Sequence, residues 1–388
     1  MAVTSLILKK SPRFALAIFL IGSVLPLRAA VLPEDRADAL YHSYDGGGVE
    51  ISGPSILVRK SINNSVSISA NYYVDNVSSA SIDVVTTASA YTEQRVEKSV
   101  GIDYLRNKSI ISMGYTQSDE NDFEAKSAHI GVSQDFFGDL TTLSLGYSQG
   151  SDVVGKRGEP EFAADGKRRH FRVGVSQILT KDSILGASWE TITDQGESLN
   201  NPYRSVRYLD PAAGVGYSYQ PEFYPETRTS DAFALRGMYY LPYRASLKME
   251  VKQFTDTWGI NADTIEFDYV HPWGDYWTFD AKIRRYQQDS ADFYSDLFER
   301  VDAQNFRARD KEMSTFSSFT LGLGAKYERE LKDWDILDKF VVNLSIDHIR
   351  FDFEDFRDLR VVSEDGPGTE PFYEYDANVI RFFVSVFY

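Results

Sequence analysis

Three stretches of the sequence carry charged side chains two residues apart: Lys248, Glu250 and Lys252; Glu266 and Asp268; Asp280, Lys282 and Arg284. A spacing of two sets each group on one face of an extended strand. On neighbouring strands such residues meet as ladders of opposite charge. Two chemistries follow, and they are compatible. The charges form a hydrated ion-pair network, or they line a path that selects solutes by charge. Glu97, Asp103, Arg172, Glu190, Arg236 and Lys326 fall on the same polar face of their own segments.

Other chemistries find less support. Cysteine is absent, so there is no thiol nucleophile, disulfide framework or zinc-finger pattern. The five histidines are His42, His129, His170, His271 and His348, and none has a His-Glu-x-x-His spacing. His129 has Ser127 and Ser133 nearby, the residue types a hydrolase would use, but serine is common throughout the chain. His271 belongs to an "HPWGD" turn and reads as structural. We expect no enzyme, no cofactor and no metal. Acidic stretches at 118–124, 353–359 and 363–366 offer oxygen ligands for Ca²⁺. They lack EF-hand spacing, and a solvated acidic surface accounts for them. Segment 194–229 mixes Tyr203, Arg204, Arg207 and Tyr208 with prolines and is long for a structureless connection. It either folds inward as a constriction or packs on the mouth of the fold. A net charge of −16 argues against nucleic acid as a partner.

The elements that position these residues are strands. Leu143, Leu145 and Tyr147 alternate with Ser144, Gly146 and Ser148. Val100, Ile102 and Tyr104 alternate with Gly101 and Asp103, and Leu247, Met249 and Val251 with Lys248 and Glu250. Phe319, Leu321 and Leu323 alternate with Thr320, Gly322 and Gly324. This is a period of two with one apolar face. Short turns at 63–64, 107–108, 138–139, 181–182, 242–243, 274–275 and 333–338 alternate with longer polar segments at 78–94, 117–125, 152–167, 194–229, 289–311 and 355–373. Early strands near 39–44 and 56–62 flank Gly46, Gly47 and Gly48.

Alternating segments of about ten residues with unequal connections predict an all-β fold, a transmembrane antiparallel up-and-down β-barrel. We expect about 16 strands (14–18), periplasmic short turns, long extracellular loops and both termini on the short-turn side. A membrane admits such a sheet only when it closes. The sequence closes on "NVIRFFVSVFY", where Ile380, Phe382, Val384, Val386 and Tyr388 form one apolar face. This strand is expected to seal the barrel, and its terminal aromatic resembles the signal read by the barrel-assembly machinery. Phe136, Phe137, Tyr239, Tyr240, Tyr243, Trp273, Tyr276, Trp277 and Trp334 cluster near the short turns, as an interfacial girdle would.

Residues 1–29 read as a signal peptide: basic Lys9, Lys10 and Arg13, an apolar run at 14–27, then Ala29. Residues 30–388 then form one barrel domain, exported to a Gram-negative outer membrane. Three stretches, at 71–95, 132–155 and 199–211, followed by "YPETRTSDAFALRGMYYLP", resemble domain-of-unknown-function family 3570. The resemblance implies a proteobacterial exported outer-membrane barrel, and it supplies no activity and no catalytic residue. It also implies a link to periplasmic flavin-transferase-like and thioredoxin-like proteins. The expected function is passage or binding of small polar solutes through a charged lumen. The alternatives are an interaction barrel serving a periplasmic redox or flavin-attachment system and, more weakly, an outer-membrane hydrolase. Expected partners are outer-membrane lipid and lipopolysaccharide, whose phosphates bound Ca²⁺ could bridge.

Overall fold

The computed structural model describes residues 30–388 apart from 80, 83–85, 87–90, 333 and 335. The signal peptide expected at 1–29 lies outside the described residues. The strands are β1 (Arg36–Gly46), β2 (Val49–Asn63), β3 (Val66–Ser79), β4 (Tyr91–Arg106), β5 (Ser109–Asp119) and β6 (Phe123–Phe136). They continue as β7 (Thr141–Lys156), β8 (Glu159–Thr180), β9 (Ser183–Gly196), β10 (Ser205–Leu209), β11 (Tyr217–Pro221) and β12 (Thr227–Tyr240). The last are β13 (Ser246–Asp256), β14 (Asn261–Trp273), β15 (Trp277–Gln288), β16 (Phe316–Glu330), β17 (Lys339–Arg357) and β18 (Phe372–Phe387). Sixteen of them form one closed antiparallel barrel in which β9 neighbours β12 and β18 neighbours β1. Strands β10 and β11 form a separate hairpin within the β9–β12 connection.

Connections at one end, the turn end, are short: 64–65, 107–108, 137–140, 181–182, 241–245, 274–276 and 331–338. Asn107 and Gly138 take positive φ there (57° and 67°), a conformation these residue types tolerate. The start of β1 and the end of β18 lie at this end, with Arg36 opposite Phe387. The other end, the loop end, is less uniform than expected. Its long connections are 197–226, 289–315 and 358–371. Segments 117–125 and 152–167 are mostly strand: β5 and β6 pair as far as Asp119 and Glu124, and β7 and β8 run on as a polar hairpin closed at 157–158. Without an apolar face such a segment reads as loop, yet its backbone still pairs.

The outer face carries the apolar set. Val100, Ile130, Leu145, Phe171, Leu235, Met249, Phe267, Ile283, Leu323 and Ile346 are all exposed outward. The girdle aromatics Phe136, Phe137, Tyr239, Tyr240, Tyr243, Trp273, Tyr276, Trp277 and Trp334 are exposed at or near the turn end. The packed core lies inside the barrel at the loop end. There Ile192, Phe254 and Tyr286 of the wall meet Leu199, Tyr224, Phe293 and Met313 of the long loops. A second cluster joins Ile82 to Phe353, Phe356 and Tyr373.

Candidate functional site: a capped, charged lumen

On β12 to β16 the inward positions are the even-numbered ones, since Leu247, Met249, Val251, Ile265, Phe267, Ile283 and Leu323 face out. Lys248, Glu250, Lys252, Glu266, Asp268, Asp280, Lys282 and Arg284 therefore stand on the inner wall, six of them in two register rows, with Lys252 opposite Thr264 and Asp280 opposite Val270. Lys248 opposes Asp268, which opposes Lys282. Arg236 opposes Glu250, Glu250 opposes Glu266, and Glu266 opposes Arg284. The second row sets two carboxylates side by side, an unfavourable pairing. Each turns to its other neighbour: Glu250 to Arg236, and Glu266 to Arg284 at 3.6 Å.

Pairing within β12 to β15 is only part of the arrangement. Lys252 Nζ lies 3.1 Å from Glu190 Oε1 on β9, and His170 Nε2 lies 3.1 Å from the other oxygen. Lys282 reaches past β16 to Asp347 on β17, Nζ to Oδ1 2.9 Å, and Arg381 of β18 holds the same carboxylate. Gly322 makes this crossing possible. A Cβ there would fall 2.3 Å from Asp347 Oδ1 and 2.9 Å from Lys282 Cε. A Cβ on Gly324 would fall 2.2 Å from Asp280 Oδ1. Inward glycines thus act as notches that let a side chain reach the second strand over. At β2 a side chain also reaches the second strand over, but Gly53 there admits the β3 backbone, since a Cβ would fall 1.8 Å from the Val74 carbonyl oxygen. His42 opposes Gly53 and crosses it to Asp75 on β3, Nε2 to Oδ1 2.7 Å, with the Tyr73 hydroxyl 3.0 Å from the same nitrogen. Sequence reasoning passed over this buried cluster. Its only signal was the inward parity of His42, Gly53, Tyr73 and Asp75.

The wall formed by β5 to β8 is different. Its inward residues include Ser112, Gly114, Gly131, Ser144, Gly146 and Gly174, and Arg172 stands opposite Glu190 at its edge. His129 lies over Gly114, where a Cβ would come within 2.2 Å of its ring, and is exposed to the interior. Among the described residues no hydrogen bond joins it to Ser127 or Ser133. His271 lies within β14 and bonds the Tyr269 hydroxyl at 2.9 Å.

Along the charged wall, accessibility falls from the turn end to the loop end. On β15 Asp280 is exposed whereas Arg284 is 6% exposed, and on β13 Lys248 is half-buried whereas Lys252 is 4% exposed. The cause is a cap made by the long loops, and segment 194–229 forms its centre. Arg207, on β10, is fully buried and ion-paired to Asp296 of the 289–315 loop and Glu370 of the 358–371 loop. Arg309 joins Asp296 at 2.9 Å, and Arg204 joins Asp310 at 2.5 Å. Tyr208 bridges to Phe298 through the backbone. Tyr203 stands at the edge, where its hydroxyl donates to Asp122 Oδ2 at 2.7 Å. So Tyr203, Arg204, Arg207 and Tyr208 belong to a mouth-closing clamp.

Electrostatics within the cap follow from burial and pairing. Burial works to lower the pKa of Arg207, but Glu370 and Asp296 raise it above its ordinary value. Burial likewise works to raise Glu370, and its hydrogen bonds from Arg207 hold it below 4.5. Glu222 goes the other way: burial pushes its pKa up to about 7. It accepts hydrogen bonds from the Tyr224 hydroxyl and the Arg309 backbone N–H.

The acidic stretch at 118–124 contributes Glu120 and Asp122 to a group with Glu93, with carboxylate oxygens within 4.8 Å of one another. At the seam, Phe382 is exposed on the outer face, Val384 and Val386 continue that face, and the Tyr388 hydroxyl donates to the Arg59 carbonyl at 3.1 Å.

No curated protein matches the chain in sequence. Among solved structures, a bacterial polysaccharide outer membrane secretin superposes with a TM-score of 0.51 at 9% identity, covering 92% of this chain and 99% of that one. At that identity the likeness is one of fold alone. OmpT, an outer membrane protein of Vibrio cholerae, aligns at a TM-score of 0.42 and 10% identity over 93% of this chain and 100% of its own. The siderophore receptor PirA from Pseudomonas aeruginosa aligns at 0.42 and 10% identity over 91% of this chain and 80% of its own. The family model described as "Protein of unknown function (DUF3570)" matches residues 85–337, and the chain belongs to that family.

Proposed function

We propose that this outer-membrane barrel binds a small polar solute in its charged lumen and passes it when the cap parts. The turn end faces the periplasm in this reading, as short turns do in bacterial barrels. One observation carries it: on the charged wall Lys252 and Arg284 are dry under the cap, while Lys248 and Asp280, four residues nearer the turn end on the same strands, are accessible to water. A wall that only filled the barrel would be buried along its whole length. Here charges of both signs, Lys248, Asp268 and Asp280 among them, border a hydrated chamber opposite a glycine- and serine-rich wall. Such a chamber suits a solute bearing both charges. It serves binding and passage, not catalysis.

Planar-bilayer recording tests this. Wild-type protein should conduct weakly, and loosening the cap through Arg207→Met should raise the unit conductance. A barrel that stays silent in both forms and co-purifies with periplasmic proteins would favour the interaction-barrel reading instead.

A further inference from the structure

The outer face of β4 to β8 carries a basic stripe at the boundary between its apolar and polar residues. The register places Lys98, Gln117, Lys126, Ser151 and Lys167 in one continuous row across five strands. Arg169 stands one outward position below Lys167, directly above Phe171. Lysines on alternate strands of such a row are about 10 Å apart, with an amide or hydroxyl between them. All four cations are exposed. The acids nearby, Asp119, Glu124 and Asp165, lie one step farther toward the loop end, and of the four cations only Lys126 has an ion-pair partner, Glu124, among the described residues.

On the side away from the acids the stripe meets bare apolar surface: Val100, Ile130 and Phe171 are 57%, 47% and 50% exposed. A ligand that satisfies both must carry anionic groups on one end and acyl chains on the other. A soluble anion would leave the apolar surface uncovered, and a neutral lipid would leave the cations unmatched. On β17 the outward cation Arg350 is instead paired with both Asp352 and Glu374.

We propose that this stripe on β4 to β8 binds a phosphorylated glycolipid of the outer leaflet, with its phosphates on Lys98, Lys126, Lys167 and Arg169 and its acyl chains along the apolar face below. This rests on residence in the outer membrane, which membrane fractionation checks separately. The stripe is distinct from the lumen and needs no open path.

The test uses the full barrel in mild detergent, titrated with diphosphoryl lipid A and read by native mass spectrometry. The variant Lys98→Gln, Lys126→Gln, Lys167→Gln, Arg169→Gln should weaken binding on the order of 100-fold while keeping the heat-modifiable gel mobility of a folded barrel. The control Arg285→Gln, on β15, should bind as wild type. If the fourfold variant fails to fold, Lys167→Gln with Arg169→Gln gives the same readout with a smaller loss. Unchanged binding in the folded variants overturns the proposal. So does equal wild-type affinity for dephosphorylated lipid A or for phosphatidylglycerol.

Discussion

Arg207 and Glu370, 163 residues apart in sequence, meet as a two-pronged ion pair inside the cap, Nη1 to Oε1 2.6 Å and Nη2 to Oε2 2.9 Å. Asp296 takes the same guanidinium from a third loop. One fully buried side chain thus gathers three connections of the cap. A paired charge so buried offsets its desolvation only while every partner is present.

Arg207→Met should open the cap without unfolding the barrel. It leaves Asp296 and Glu370 as buried carboxylates with one cation fewer, a loss on the order of 3–5 kcal/mol. The barrel wall keeps its own hydrogen-bond ladder, so the loss stays local. Limited proteolysis should cut within 197–226 and 289–315, while gel mobility still reports a folded barrel. Wild-type resistance to protease would mean that the apolar cluster and the remaining pairs, Arg309–Asp296 and Arg204–Asp310, hold the loops without Arg207.

Cap closure should also depend on pH, with a maximum near mildly acidic pH. Glu222 has a pKa of about 7 in the closed cap against an ordinary 4.5, because burial disfavours its charge. Its contribution is full below 4.5 and is lost as pH rises toward 7. Glu370 is held below 4.5 by Arg207, so its contribution is present above 4.5 and fails as pH falls through its lowered value. The two limbs place the tightest cap at about pH 5. A spin label on Val362→Cys, 91% exposed in the 358–371 loop, should be least mobile there. Glu222→Gln should flatten the alkaline limb and spare the acid one. An unchanged alkaline limb would mean that another group sets it.

The two faces of β7 and β16 should differ sharply. Leu145→Arg and Leu323→Arg put a charge on the outer apolar face, at a cost on the order of 2–4 kcal/mol near the bilayer midplane. Gly146→Ser adds a small group to the lumen, where a Cβ meets only Arg172 Cβ at 3.8 Å. Urea titration of the folded fraction should show the arginine variants destabilised and the serine variant close to wild type. Equal losses at both faces would place the lipid boundary elsewhere.

Not every lumenal glycine should be so tolerant. Gly322→Val would drive a side chain between Lys282 and Asp347 and force the pair apart. Overpacking of this kind costs on the order of 1–3 kcal/mol. The same titration that spares Gly146→Ser should register it, and a neutral result would refute the notch reading of Gly322.

How much of this could be read from the sequence differs by element. The period-two faces of β7, β13 and β16 were plain, because lipid outside and water inside impose opposite polarity on successive residues. The inward placement of Lys248 or Arg284 follows from that parity alone. The partners of Lys252 and Lys282 do not, because they lie on strands distant in sequence and depend on what the intervening residue lacks. The cap was hidden more deeply, since Arg207, Asp296 and Glu370 look like ordinary loop charges until three loops converge. A trace existed nonetheless. At Ala232, Ala234, Phe254 and Ala262 the inward positions become apolar near the loop end. A water-filled barrel has no reason for that, but a wall covered by folded loops does.

The β1–β18 seam should control assembly more than function. Phe387 pairs with Arg36 across the seam and with Lys339 on β17, whose ammonium lies 4.2 Å from its ring centroid. Tyr388 adds a backbone bond to the Asp35 carbonyl at 3.3 Å, and Lys60 sits 4.7 Å over its ring. Removing Phe387 and Tyr388 takes away the last rung of closure, and an unpaired edge has no partner in hydrocarbon. Unfolded protein should then accumulate before insertion, with little heat-modifiable barrel in the membrane fraction. Tyr388→Phe separates the seam from the hydroxyl: it loses only the bond to the Arg59 carbonyl, keeps the ring under Lys60, and should assemble at wild-type levels. Normal membrane levels of the deletion would show that the rungs from Val386 onward suffice to close the barrel. A defect in Tyr388→Phe equal to the deletion would instead assign the requirement to that single hydroxyl.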